Sequence, residues 1–368
     1  MLVFTFIACA NGDTKQPPAV NGRENFSDNA KRLYNYLLDQ YGEKIISGQM
    51  DTTWSTTMDM IDRVYTDTGR YPAIKGFDMM EIPYSWTNYG QQQIDEAIEW
   101  WEGKNNGVKL LPDNPDIKGI VTFSWHWRTG SSNQFYSDQT DFRIPWSNNK
   151  LDITSTSFQT IKSDLDKVAA LLKQLKDMGI PVLWRPLHEA VGNWSTNNPN
   201  GAWFWWGASG PAPYIALWEY MYDYLKNVKG LDNLIWVWNG QHTDWFPNPE
   251  TVDIIGYDYY PWPRNTPQTA QNYNSQKVLF DRTAKMISDG TSRIVAMTEN
   301  GPIPDPDKCM QDNAMWSWFM TWNDSDNPDY PQDQFWTGEF VNTSTHKAHV
   351  YNHSLVITLD ELPDLTTY

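Results

Sequence analysis

The sequence predicts a single (β/α)8 (TIM) barrel, on three observations. Eight short apolar runs of strand length alternate with longer helical patterns from residue 27 to about residue 360. No Gly/Ser-rich linker interrupts that stretch, so one domain is expected over 27–368, with 1–26 set apart as a leader and tether. Two of the runs close on a glutamate, which puts both carboxyls at the C-terminal mouth of a parallel sheet.

The elements follow in order. A helix at 27–41, opened by Ser and Asp, precedes a strand at 44–51. A helix at 56–68, a strand at 72–79, a helix at 92–104 and a strand at 118–126 come next. The amphipathic helix at 157–178 leads to a strand at 180–189. A helix at 213–229, strands at 233–239 and 253–260, and a helix at 267–289 follow. Strands at 293–299 and 316–322 and a helix at 344–352 complete the set. Alternation of this kind implies parallel strands joined by right-handed crossovers, and eight units favour closure over an open sheet.

Composition narrows the function. Hydrophobic residues make up 40% and charged residues 20%, as in a water-soluble globular chain. With 28 basic against 45 acidic residues the net charge is −17, which argues against nucleic acid or an anionic membrane as a partner. No GxGxxG or GxxxxGKS loop is present, so no nucleotide and no cofactor is expected. The opening MLVFTFIACA is apolar but too short to span a bilayer. It reads as the apolar part of a signal peptide, and FIAC resembles a bacterial lipobox in which Cys9 would carry a lipid anchor. That would make the protein secreted or held at the cell surface. It would also leave Cys309 with no partner for a disulfide.

Glu189 closes IPVLWRPLHE and Glu299 closes RIVAMTENG. A lone glutamate at a strand end is ordinarily a solvated loop residue. Two of them, bracketed by polar and aromatic neighbours, are the minimum equipment for cutting a glycosidic bond. Strand alternation puts Arg185, Leu187 and Glu189 on one face, and Val295, Met297 and Glu299 on another. Asp258 pairs in the same way with Tyr260, and Met320 with Trp322, while His126 ends its strand. If these faces point inward, charged and aromatic groups converge where a core should be apolar. The 21 Trp and 19 Tyr add flat faces for sugar C–H groups, although most should serve packing. The runs SWHW, WFWWG and MTWN lie at or just past strand ends and are the best platforms.

Other chemistries fit poorly. HExxH needs a second His where Gly192 stands, and there is no GxSxG elbow. His346, His349 and His353 could share a metal, but histidines on a surface helix are more often bystanders, and no metal is expected.

WRPLHEAVGNW, WFWWG, LDNLIWVWN, GIVTFSWHW, DIIGYDYYPW and MTENGP, spread over residues 27–360, are similar to the family 26 glycoside hydrolases of clan A. The resemblance implies a retaining endo-β-1,4-mannanase acting on mannan, glucomannan, galactomannan or manno-oligosaccharides. It implies Glu189 as general acid/base and Glu299 as nucleophile. His126, His188, Asp258, Tyr260 and Trp322 would shape the site of the sugar under attack, and Trp203 would stack the leaving-group sugar. Two departures stand out. Trp194 has the family's spacing from the acid/base while Trp203 has its motif, and Trp203 is the favoured platform. Asn323 stands where some members carry Arg, which bears on chain-length preference. On the same scaffold the alternatives are a β-1,3-xylanase, a mixed-linkage β-glucanase, or a surface glycan-binding protein that does not cut.

Overall fold

The computed structural model describes residues 25–52, 59–82, 88–129, 133–195, 197–198, 200–287, 291–325, 327 and 329–368. Cys9, nearly all of the tether and the start of the helix expected at 56–68 lie outside the described residues. Seven parallel strands form one curled sheet: β1 (Gly48–Met50), β2 (Ile74–Asp78), β3 (Ile120–Ser124), β4 (Val182–Arg185), β5 (Leu234–Trp238), β6 (Ile254–Tyr259) and β7 (Ile294–Asn300). They neighbour one another in chain order.

Residues 316–322 close the barrel between β7 and β1. On one side Ser317 N donates to Val295 O at 2.8 Å and Asn300 N to Met320 O at 2.8 Å. On the other, Ile46 N donates to Ser317 O at 2.9 Å and Met50 N to Thr321 O at 2.9 Å. The contacts are isolated bridges rather than a regular ladder. The eighth strand is thus present in place and direction but irregular.

The helices lie outside this sheet: α1 (Asp28–Gln40), α2 (Met60–Thr68), α3 (Tyr89–Trp101), α4 (Thr156–Asp177), α5 (Pro211–Asp223), α6 (Lys277–Ala284), α7 (Pro306–Gln311) and α8 (Ser344–Tyr351). In α4 the Ser155 hydroxyl caps the first turn by accepting from Phe158 N. Its buried stripe, Phe158, Ile161, Leu165, Val168, Leu172 and Leu175, has helical spacing. Each fully buried leucine there stabilises the fold by about 1.5–3 kcal/mol. The helix expected at 267–289 is broken instead. A single turn at Pro267–Ala270 is followed by Asn272 and Gln276, whose side chains bond to each other and to the backbone of Asn274, and α6 starts only at Lys277.

Two expectations from strand alternation need correction. β4 stops at Arg185, and both Leu187 (φ 53°) and Glu189 (φ 50°) adopt left-handed backbone, so Glu189 sits in a turn beyond the strand. In β7 the register slips by one: Tyr257 pairs with Met297, but Asp258 pairs with Glu299, so Thr298 is an extra residue. Val295 and Met297 pack among helix residues such as Val64 and Val350. The bulge turns Glu299 away from that layer, and it reaches Arg185 instead.

Candidate active site

The polar residues that close the strands meet at the barrel's C-terminal mouth. Arg185, the last residue of β4, is buried and sits between two carboxylates. Its Nη1 donates to Asp258 Oδ2 at 3.0 Å, and its Nη2 donates to Glu299 Oε1. The Tyr260 hydroxyl donates to the other Glu299 oxygen at 2.9 Å. Both oxygens of Glu299 are therefore engaged. One carboxylate oxygen from each of Glu189, Asp258 and Glu299 lies within 4.8 Å of the others.

Glu189 is only 8% exposed and Glu299 3%. Burial, then the charges of Asp258 and Glu299, holds the Glu189 carboxyl well above the ordinary glutamate range. Burial and Asp258 push Glu299 up as well, to about 7, while Arg185 and His126 pull the other way. Two donors on its oxygens favour Glu299 as the anion, while burial and the neighbouring carboxylates favour Glu189 as the holder of the proton. Burial and the neighbouring Glu299 also push the Tyr260 hydroxyl up, so it remains a donor.

Beside the pair stand two histidines. His188 Nε2 lies 4.0 Å from Glu299 Oε1 and 3.1 Å from His126 Nε2. Burial, with the charges of His126 and Arg185, keeps His188 neutral by lowering its proton affinity. His126 is anchored by Asp78, which accepts from its backbone N at 2.9 Å and binds its Nδ1. Burial opposes protonation of His126, but the Asp78 carboxylate outweighs it and raises the imidazole above its usual range. Trp322 meets the His126 ring edge-on at 5.7 Å.

A cleft of about 950 Å³ opens over this cluster, lined by His126, Glu189, Trp203, Phe204, Tyr260 and Trp262 among others. Trp203 is 40% exposed on one wall and Trp262 is 87% exposed on another. Trp194 packs instead against Trp245, ring centres 4.6 Å apart. Asn323 lines the cleft too, its amide donating to Asp51 O at 3.1 Å. All eight of the expected site residues therefore gather around this mouth.

Residues 23–361 match the family described as Glycosyl hydrolase family 26. The chain belongs to that family. It is 34% identical over 343 residues to the mannan endo-1,4-beta-mannosidase of Thermothelomyces thermophilus, covering 90% of this chain and 61% of that protein. Mannan endo-1,4-beta-mannosidase B of a Piromyces species is 31% identical over 342 residues, covering 91% of this chain and 52% of that protein. The chain thus spans roughly half to three-fifths of these relatives. Among solved structures, the Podospora anserina GH26-CBM35 beta-(1,4)-mannanase superposes with a TM-score of 0.74 at 30% identity, over 96% of this chain and 72% of that one. The beta-mannanase from a symbiotic protist of the termite Reticulitermes speratus, complexed with gluco-manno-oligosaccharide, gives 0.73 at 29%, over 92% and 96%. Family membership brings the clan A barrel with it, in line with the fold described above.

Three residues at this family site are not evident from sequence alternation: Asp78, Asn239 and Thr298. Asn239, just beyond β5, donates from Nδ2 to Asp258 Oδ1 and to Thr298 Oγ1, each at 2.6 Å. Asp78 and Asn239 obey the rule that exposed the glutamates, a polar residue closing an apolar run, and that signal could have found both. Thr298 depends on the bulge and leaves no such trace.

Metal binding has little to work with among the described residues. Arg185 already supplies the positive charge between Asp258 and Glu299. Asp307, His349 and His353 lie close together on the surface, but His353 Nδ1 accepts from Leu355 N at 3.1 Å. That tautomer carries a proton on Nε2, the nitrogen facing Asp307 at 3.2 Å, where a metal would need a lone pair. His346 is committed elsewhere, bonded to Ile303 O and stacked on Tyr273.

Proposed function

We propose that this chain is a retaining endo-β-1,4-mannanase. The observation that carries the reading is the closeness of two buried carboxyls under one cleft, with oxygens within 4.8 Å. Retaining enzymes hold the two groups about 5–5.5 Å apart, whereas inverting ones need about 6.5–9.5 Å to admit a water. Glu299, ionised and aimed by Arg185 and Tyr260, attacks the anomeric carbon. Glu189 gives its proton to the departing oxygen. Esterified Glu299 has lost its charge, so Glu189 becomes acidic enough to serve as a base and deprotonate the water that releases the sugar.

The mannan preference is supported by the names of the relatives and by the gluco-manno-oligosaccharide held by the termite-protist enzyme. Trp203 on the cleft wall is the platform for the leaving-group sugar. His126, His188, Asp258, Tyr260 and Trp322 shape the pocket of the sugar under attack. Incubation with glucomannan, galactomannan, lichenan and β-1,3-xylan, read as new reducing ends, tests this directly. Internal cleavage of the mannans is expected. Cleavage confined to lichenan or xylan would transfer the scaffold to one of those activities, and binding without cleavage would make it a glycan-binding protein.

The FIAC run further supports a lipid anchor on Cys9 and a place at the cell surface, with 27–368 as the catalytic domain. Mass spectrometry of the mature N-terminus is the check. A chain starting after Cys9 would remove the anchor.

A further inference from the structure

The two glutamates ride on very different backbones, and one residue touches both carriers. Glu189 has no strand beneath it, since β4 has ended and the chain has turned through left-handed φ at Leu187 and Glu189. The turn hangs from neighbouring groups. Glu189 N donates to Asn239 O at 2.7 Å, Tyr214 OH to Leu187 O at 3.0 Å, and Trp206 Nε1 to His188 O at 2.8 Å. Of these anchors, Asn239 alone also reaches the nucleophile's side. Its amide holds Asp258 Oδ1 and Thr298 Oγ1, and the Thr298 hydroxyl itself donates to Asp258 Oδ1 at 2.7 Å. Asp258 Oδ2 in turn takes Arg185, and Arg185 takes Glu299. Every polar link in this chain is buried.

We infer that Asn239 is a positioning residue that sets the spacing of the acid/base and the nucleophile: its carbonyl holds the Glu189 turn while its amide, through Asp258 and Arg185, holds Glu299. The inference rests on the catalytic roles proposed for the two glutamates. Thr298 is its partner: it is the extra residue of the bulge beside Glu299, and its hydroxyl accepts from the Asn239 amide while donating to Asp258.

The first variant is Asn239→Leu, which keeps the backbone carbonyl and a similar volume but deletes both amide donors. A misplacement of about 1 Å between reacting groups can cost roughly 10²-fold in rate. The expected result is a fall of that order in kcat on mannotetraose, with KM changed less than about 3-fold. The alkaline limb of the pH profile should also move to lower pH. With the link cut, the carboxylates of Asp258 and Glu299 are no longer held close to Glu189, and their charges help it less to keep a proton. Thr298→Val should show the same signature more weakly, and Thr298→Ser, which keeps the hydroxyl, should restore it to within about 2-fold of the parent. If Asn239→Leu folds and keeps both kcat and pH profile, the positioning role is wrong. It is equally wrong if activity falls only in step with the fraction folded.

A readout that needs no turnover separates this from failure of the mannanase reading. NMR titration of ¹³C-labelled glutamate side chains should show the proton leaving Glu189 at lower pH in Asn239→Leu than in the parent. That shift would stand even if the parent hydrolysed none of the four polysaccharides. An unmoved titration would overturn the positioning role regardless of activity.

Discussion

Glu299 and Glu189 are the same residue type in one cavity, yet the fold treats them in opposite ways. Glu299 lies on a strand, and its carboxylate is held at both oxygens, by Arg185 and by Tyr260. Glu189 lies in a turn held through its backbone, and its carboxyl borders the open cleft. A nucleophile must be ionised and aimed, which donors on both oxygens accomplish. A proton donor must hold its proton and reach the leaving group, which favours burial beside other carboxylates, with Arg185 bonded to those and not to it. The difference in support is thus the difference in role.

The harshest test of the contrast removes the held member. Glu299→Ala should lower turnover by roughly 10⁴-fold or more, as loss of a nucleophile does. Azide should then attack from the vacated side and give a glycosyl azide of opposite anomeric configuration. Unaltered hydrolysis would end the assignment.

Removing the other member should hurt selectively. Glu189→Ala loses general acid catalysis, worth about 10²–10⁴-fold, on polymer and on sugar leaving groups. An aryl mannobioside whose phenol leaves without protonation should suffer far less in the first step. Equal losses on both substrates would contradict the division of roles.

What is legible in the sequence divides along the same contrast. The order of strands and helices is legible because apolar runs of period 2 and stripes of period 3.6 report directly on which face is buried. The glutamates and the flanking RPLH are legible as polar interruptions of apolar runs. Local backbone geometry is not. Alternation fails at Leu187 and Glu189, where the φ values of two non-glycine residues break it, and at Thr298, where an inserted residue shifts the register. Neither event has a strong local signature. The hairpin at Lys104–Asn105 and Val108–Lys109 does have one, although the expected element order passes over it: Asn106-Gly107, with positive φ at both positions, is the turn that such a pair favours. The three-carboxyl arrangement also lies beyond sequence, because it depends on Arg185 reaching across two strands to Glu299.

A milder substitution sharpens the electrostatic half of the comparison. The charge of Asp258 raises both glutamates. The active form needs Glu299 ionised and Glu189 protonated, so activity falls at low pH as Glu299 gains a proton and at high pH as Glu189 loses one. Asp258→Asn removes the charge, both groups lose affinity for protons, and the whole bell should slide toward acid. A pH series of kcat/KM on mannotetraose reads this. A slide toward alkali, or a bell that stays put, would mean Asp258 acts only through its hydrogen bonds to Arg185, Asn239 and Thr298.

The smallest expected effect asks which aromatic wall the cleft uses. Trp203 is partly exposed and faces the cavity, whereas Trp194 packs edge-to-face with the buried Trp245. A stacked ring contributes about 0.5–1.5 kcal/mol beyond the area it covers, or roughly 2- to 10-fold in kcat/KM. Trp203→Ala should therefore lower kcat/KM on mannotetraose by about that factor, through KM more than kcat because the sugar it holds is not the one under attack. Trp194→Ala should leave KM alone and lower the thermal unfolding midpoint, since it removes packing from a buried neighbour. The two substitutions are a matched pair. If Trp194→Ala raised KM and Trp203→Ala did not, the spacing from Glu189 would be the better guide to the sugar platform than the WFWWG motif.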